Sequence, residues 1–189
     1  VTTEACRAFR HAGEVPDGLF AQVDEALADL EATTGRRLGD PTAPLLLSVR
    51  SGAPFSMPGM MDTVLDLGAT DATVPGLVAM GDEAFAWDAT RRFTELFGRV
   101  VLGVESSVFD AVLHEAITAA GVRDERDLTG AQLADVVARQ RAAVEARGVD
   151  FPTDPHEQLR RAVVAVFRSW DGTRAKAYRR VEGIDDDLG

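Results

Sequence analysis

Two short apolar runs enclose a single loop in "SVRSGAPFSMPGMMDTVLDLG", residues 48–68. Leu45, Leu46, Leu47 and Val49 precede the loop, and Val64, Leu65 and Leu67 follow it. A surface linker needs no such flanks, so the segment reads as two strands with something held between them. "PLLLSVR" is too short and too apolar for an amphipathic helix and predicts a buried strand ending at Arg50. "TVLDL" predicts a second, weaker strand. From Asp71 onward the pattern is helical, which confines any sheet to the first part of the chain and makes the fold class α/β and α-rich.

The helices announce their ends. Thr3 caps a first helix running to about His11, with Gly13 as a left-handed terminator. After Pro16, Leu19, Phe20, Val23, Ala26, Leu27 and Leu30 recur at helical spacing up to Gly35. Phe85, Trp87, Phe93, Leu96, Phe97, Val100 and Val101 give a long helix with a wide apolar face, and "SSVFDAVLHEAITAAG" a further one stopped at Gly121. Thr129 and Gln132 stand at capping-box spacing at the start of a helix ending at Gly148. Asp154 caps the next, with Pro155 first in the helix and Glu157 as reciprocal partner. "TRAKAYRRV" forms a short last helix. The organisation expected is an α/β piece over residues 1–70, a helical piece over 71–155 and a return segment over 156–189.

Composition narrows the partners. Of 189 residues 46% are hydrophobic, enough for a core, and the net charge of -11 argues against nucleic acid or an anionic membrane surface. No run of about 18 apolar residues could span a bilayer. The single cysteine, Cys6, excludes an internal disulfide or a multi-cysteine zinc site, which suits a cytoplasmic protein. Lys176 is the only lysine, so any strong cation at a site is an arginine. Both ends read as the middle of something larger.

The loop has the properties of a phosphate site. Gly52 and Gly59 let the backbone approach a ligand, Ser51, Ser56 and Thr63 offer hydroxyls, and Arg50 supplies a forked, permanent cation. No "GK[ST]" follows a glycine run, so it is not a Walker motif. The other reading of the same residues is a tight inter-strand loop whose arginine pairs with a carboxylate.

The stretch closely resembles the signature of the N-terminal nucleotide-binding domain of the pyruvate, phosphate dikinase family. The likeness continues through "FAWDATRRF", "DLTGAQL", "FPTDPHEQLRRAVVAVFRSWDGTRAKAYRR" and "GIDDDLG" and so covers essentially the whole chain. "SMPGMMDT" separates this family from phosphoenolpyruvate synthase and the glucan, water dikinases, which are similar only around the Val-Arg-Ser core. The resemblance implies part of an ATP-grasp fold with a helical insert, in a cytoplasmic or plastid enzyme. Such enzymes interconvert ATP, phosphate and pyruvate with AMP, pyrophosphate and phosphoenolpyruvate, using Mg2+ and a swivelling domain that carries a phosphorylated histidine. By the same resemblance Arg50, with Ser51 beside it, contacts phosphate, and Gly59, Met60, Met61, Asp62 and Thr63 form the loop that closes over the ATP phosphates. Arg92 is a further arginine at the phosphates and Arg91 a weaker candidate. The family's nucleotide-contacting lysine would lie upstream of Val1 and its acidic metal ligands beyond Gly189. None of His11, His114 and His156 has the catalytic histidine's context. The chain thus reads as about half of an ATP site, inactive alone, and a stand-alone regulatory module is the rival.

Several residues have plainer readings. His114 and His156 suit solvated or packed positions. Asp185, Asp186 and Asp187 cannot all face one ion and suit a solvated turn. Met57, Met60 and Met61 suit either core filling or a loop that packs in more than one position, the second being favoured. Trp170, Arg174 and Tyr178, four apart on a helix, suit packing. A strand edge left uncovered would favour a homodimer.

Overall fold

The structure is a computed structural model that describes residues 1–52 and 59–188. Ser56 and Met57, two of the loop residues singled out above, lie outside the described residues.

The two expected strands form. β1 (Leu47–Arg50) and β2 (Thr63–Leu67) pair antiparallel with Leu47 opposite Leu67, Val49 opposite Val64 and Arg50 opposite Thr63. The register is irregular between Leu47 and Val49. β1 is less buried than its apolar letters suggest: Leu47 and Val49 are only half-buried, and Ser48 and Arg50 are exposed. One face of this strand packs on the core while the other meets solvent, the alternation normal for an antiparallel pair. Arg50 therefore sits at the surface and not in the interior.

Eight α-helices surround the pair among the described residues. α1 (Thr3–Ala12) is capped by Thr2, one residue earlier than the sequence suggested, because the Thr2 hydroxyl accepts from the Ala5 N–H. α2 (Leu19–Thr34) ends at Gly35, where φ of 67° suits a residue without a Cβ. α3 (Val74–Met80) leads into α4 (Glu83–Val100), whose first turn is capped by Asp82. α5 (Ser106–Ala120) stops at Gly121. α6 (Gly130–Glu145) opens with the expected Thr129–Gln132 capping box and ends three residues before Gly148. α7 (Pro155–Ser169) has Asp154 as cap and Pro155 first in the helix. Glu157 is not the reciprocal partner; its carboxylate accepts from Arg161 Nε at 2.8 Å, one turn on. α8 (Thr173–Glu182) is the short last helix.

α7 lies against both strands and against α1, while α4 packs on β2 with one side and on α6 with the other. The core follows that path. Phe9 meets Phe167 with ring centroids 5.5 Å apart, and Phe93, Phe97 and Phe151 form a cluster with centroids 5.3 to 6.5 Å apart. Leu67, Leu77, Val136 and Phe109 are also fully buried, so the strand pair, α4 and α6 share continuous apolar packing. Phe85 is the exception on α4: it is exposed, its ring folded over Gly81.

Candidate functional site

The strand pair sets Arg50 at the exit of β1 opposite Thr63 at the entry of β2, so both shoulders of the loop meet across one rung of the ladder. The guanidinium is exposed, held on a strand whose neighbours Val49 and Val64 anchor it to the core. Beside it opens a cavity of about 250 Å3, lined by Ser51 and Gly52 from the loop's start, Met61 from its end, and Cys6, Phe167 and Trp170 from α1 and α7. Burial pushes the Cys6 thiol up to about 11, so this wall carries a neutral thiol.

The loop's outgoing side is held from elsewhere. Gly59 has φ of 71°, a conformation that favours glycine, and its Cα faces open space. Met60 and Met61 are half-buried against the core, which is the gap-filling role, and Met61 Sδ lies 3.8 Å from Ser169 Oγ. The Asp62 N–H donates to Ser169 Oγ, and its carboxylate lies 3.6 Å from Arg174.

Arg91 and Arg92 are adjacent on α4 and point to opposite fates. Arg91 is 3% exposed and surrounded by Asp88, Glu95 and Glu125 at 2.9 to 3.4 Å, a structural knot tying α4 to the turn before α6. Arg92 is half exposed, 3.3 Å from Asp88 and 3.7 Å from Asp66 of β2. Asp66 is three residues along from Thr63, at most about 11 Å of extended chain. Arg92 is therefore brought to the same strand whose entry faces Arg50. Burial pushes the Asp66 carboxyl above the usual carboxylate range, an effect Arg92 opposes and Asp88 adds to.

Other candidates are not brought to the loop. His114 and His156 are exposed on α5 and α7, and His11 faces Asp187 at 3.5 Å. In the acidic turn Asp186 accepts from Arg179 Nε at 2.8 Å and Asp185 caps the Asp187 N–H. Trp170 is stacked on by Arg179, 4.3 Å from the ring, rather than by Arg174. Reading the sequence missed Ser169 and Asp66. A lone serine in a helix carries no motif, and Asp66 is singled out only by its φ of 55° and its burial.

Residues 2–188 match the family described as pyruvate phosphate dikinase, AMP/ATP-binding domain. The chain belongs to that family. Relatives within the dikinases include pyruvate, phosphate dikinase 1, chloroplastic, of Arabidopsis thaliana, 46% identical over 186 residues, which are 97% of this chain and 19% of that protein. Pyruvate, phosphate dikinase 2 of Zea mays is 47% identical over 97% of this chain and 21% of its own length. The chloroplastic dikinase of Flaveria pringlei is 48% identical over 97% and 20%. The chain thus spans about a fifth of the dikinases it matches. Among the described residues no helix is long and apolar enough to cross a membrane.

Proposed function

We propose that this chain is the leading part of the nucleotide-binding domain of a pyruvate, phosphate dikinase, built on an ATP-grasp plan. It contributes phosphate contacts to a reaction converting ATP, phosphate and pyruvate to AMP, pyrophosphate and phosphoenolpyruvate. Arg50 and Arg92 supply positive charge, and Ser51 with residues 59–63 supplies backbone and hydroxyl donors. Phosphoryl transfer asks for this: little covalent help, but fixed charge and donors around the moving oxygens. The observation that carries the reading is the antiparallel rung between Arg50 and Thr63, which sets the two shoulders of the loop side by side in a chain of this family.

The phosphoryl group passes to a histidine carried by another domain of the whole enzyme. Magnesium enters with the nucleotide as MgATP, and the acidic turn does not fit the ion, since Asp186 is engaged by Arg179. α7 packing on both strands supports reading residues 156–189 as a return to the α/β part. A homodimer belongs to the same reading, because each strand of the two-stranded sheet has an edge with no strand partner among the described residues. A buried, unpaired cysteine supports a reducing compartment, and we assign the cytoplasm.

Calorimetric titration with MgATP tests the site. Substitution Arg50→Ala weakens binding about a hundredfold, near 2.7 kcal/mol. In the full-length enzyme the same variant loses ATP-dependent phosphorylation of the histidine domain, and retention of normal phosphorylation by Arg50→Ala overturns the assignment.

A further inference from the structure

We infer that Ser169 and Arg174, at the corner between α7 and α8, are positioning residues that hold the outgoing end of the loop in place for phosphate. The inference rests on the reading that this loop contacts phosphate, and it adds two residues outside the loop.

Ser169 is 7% exposed, and its hydroxyl donates to the Val166 carbonyl at 2.7 Å. That bond fixes the rotor and turns the oxygen's lone pairs away from the helix. The Asp62 N–H fills one of them at 3.3 Å, a contact between residues 107 apart in sequence. Arg174, 70% exposed, reaches the Asp62 carboxylate from the first turn of α8. Both contacts fall on the residue immediately before β2, next to Thr63, the ladder partner of Arg50.

The corner is itself rigid. Trp170 is 1% exposed and its Nε1–H donates to the Asp186 carbonyl at 2.9 Å. Arg179 donates to the Trp170 carbonyl at 2.5 Å while covering its ring, and the Gly172 N–H donates to the Ser169 carbonyl at 3.0 Å. The loop's end is therefore pinned to a braced helix corner and not only to its own strand. A displacement of about 1 Å at a reacting group can cost a hundredfold in rate, so a fixed attachment one residue from the ladder bears on catalysis.

The test uses the full-length enzyme with Ser169→Ala, Ser169→Thr and Arg174→Ala, read by the rate of ATP-dependent histidine phosphorylation, transfer from the phosphohistidine to pyruvate, and thermal unfolding. Ser169→Ala slows the ATP step about tenfold and leaves transfer to pyruvate unchanged, while Ser169→Thr, which keeps the hydroxyl, restores it. Arg174→Ala slows the same step two- to threefold without shifting the unfolding temperature, since an exposed pair at 3.6 Å contributes little to stability. A wild-type ATP step in Ser169→Ala overturns the inference. So does a slowed step that accompanies a lowered unfolding temperature while Arg174→Ala behaves as wild type. If Arg174→Ala is slow and Ser169→Ala does not fold, the inference stands on Arg174. Normal phosphorylation in Arg50→Ala would instead overturn the phosphate reading on which it rests.

Discussion

Arg91 and Arg92 are neighbours in sequence, and a helix turns about 100° between them, so one enters the packed side of α4 and the other leaves it. Arg91 is caged by three carboxylates, and removing it takes away their one buried cation, although Asp88 keeps Arg92 and Glu95 keeps Arg99 as partners. Arg91→Ala should cost about 2 kcal/mol of stability, whereas Arg92→Ala should stay within about 0.5 kcal/mol and instead weaken phosphate binding. Urea unfolding of both variants, alongside MgATP titration, checks this contrast. Asp66 supplies a second test. Its carboxyl is raised in the folded state, first by burial. The folded chain then holds a proton that the unfolded chain has released, so the contribution is present below the ordinary carboxylate value of about 4 and is lost as pH rises through the folded value. Asn also tolerates the positive φ at this position. Unfolding midpoints measured between about pH 4 and pH 7 should show wild type gaining on Asp66→Asn as the pH falls.

The helices were readable at their ends because capping is a local, chemically specific event. Thr129 with Gln132, Asp154 with Pro155, and the glycines at 35 and 121 all serve where the letters placed them. Thr129→Ala should cost about 1 kcal/mol, measured by chemical denaturation. The misreadings are local competitions. Thr2 outbids Thr3 because its hydroxyl is the one that reaches the Ala5 N–H, and Glu157 finds an arginine four residues on instead of its own helix start. What a helix packs against was not readable. Gly98, in the last turn of α4, looks like a weak point, yet a Cβ there would run into the buried Phe109 ring of α5. Gly98→Ala should therefore destabilise by about 1 to 3 kcal/mol despite Ala's better helix propensity, and thermal unfolding checks the sign.

At the scale of the molecule, α4 joins the strand pair to the helical layer, and α1 closes over α7. Cys6 sits under that closure, 8% exposed. Its thiol, moved from 9.0 to about 11, holds roughly a hundredfold less thiolate at neutral pH than a free one. A disulfide reagent should label it at least about a hundredfold more slowly in the folded chain than in urea, with the rate rising as α1 opens from the core.

The α-rich α/β class, the two strands that flank the loop and most helix ends were legible in the letters. Periodicity, caps and motifs act over a few residues, and the family's pattern is carried by contiguous words such as "SMPGMMDT". The division of labour between Arg91 and Arg92, the exposure of Arg50, the pairing of Arg92 with Asp66 and the pinning of Asp62 by Ser169 came from the folded chain. Each depends on which surfaces meet across tens to more than a hundred residues, and burial is a property of those meetings. A serine 107 residues away becomes part of the loop only when α7 is laid against both strands.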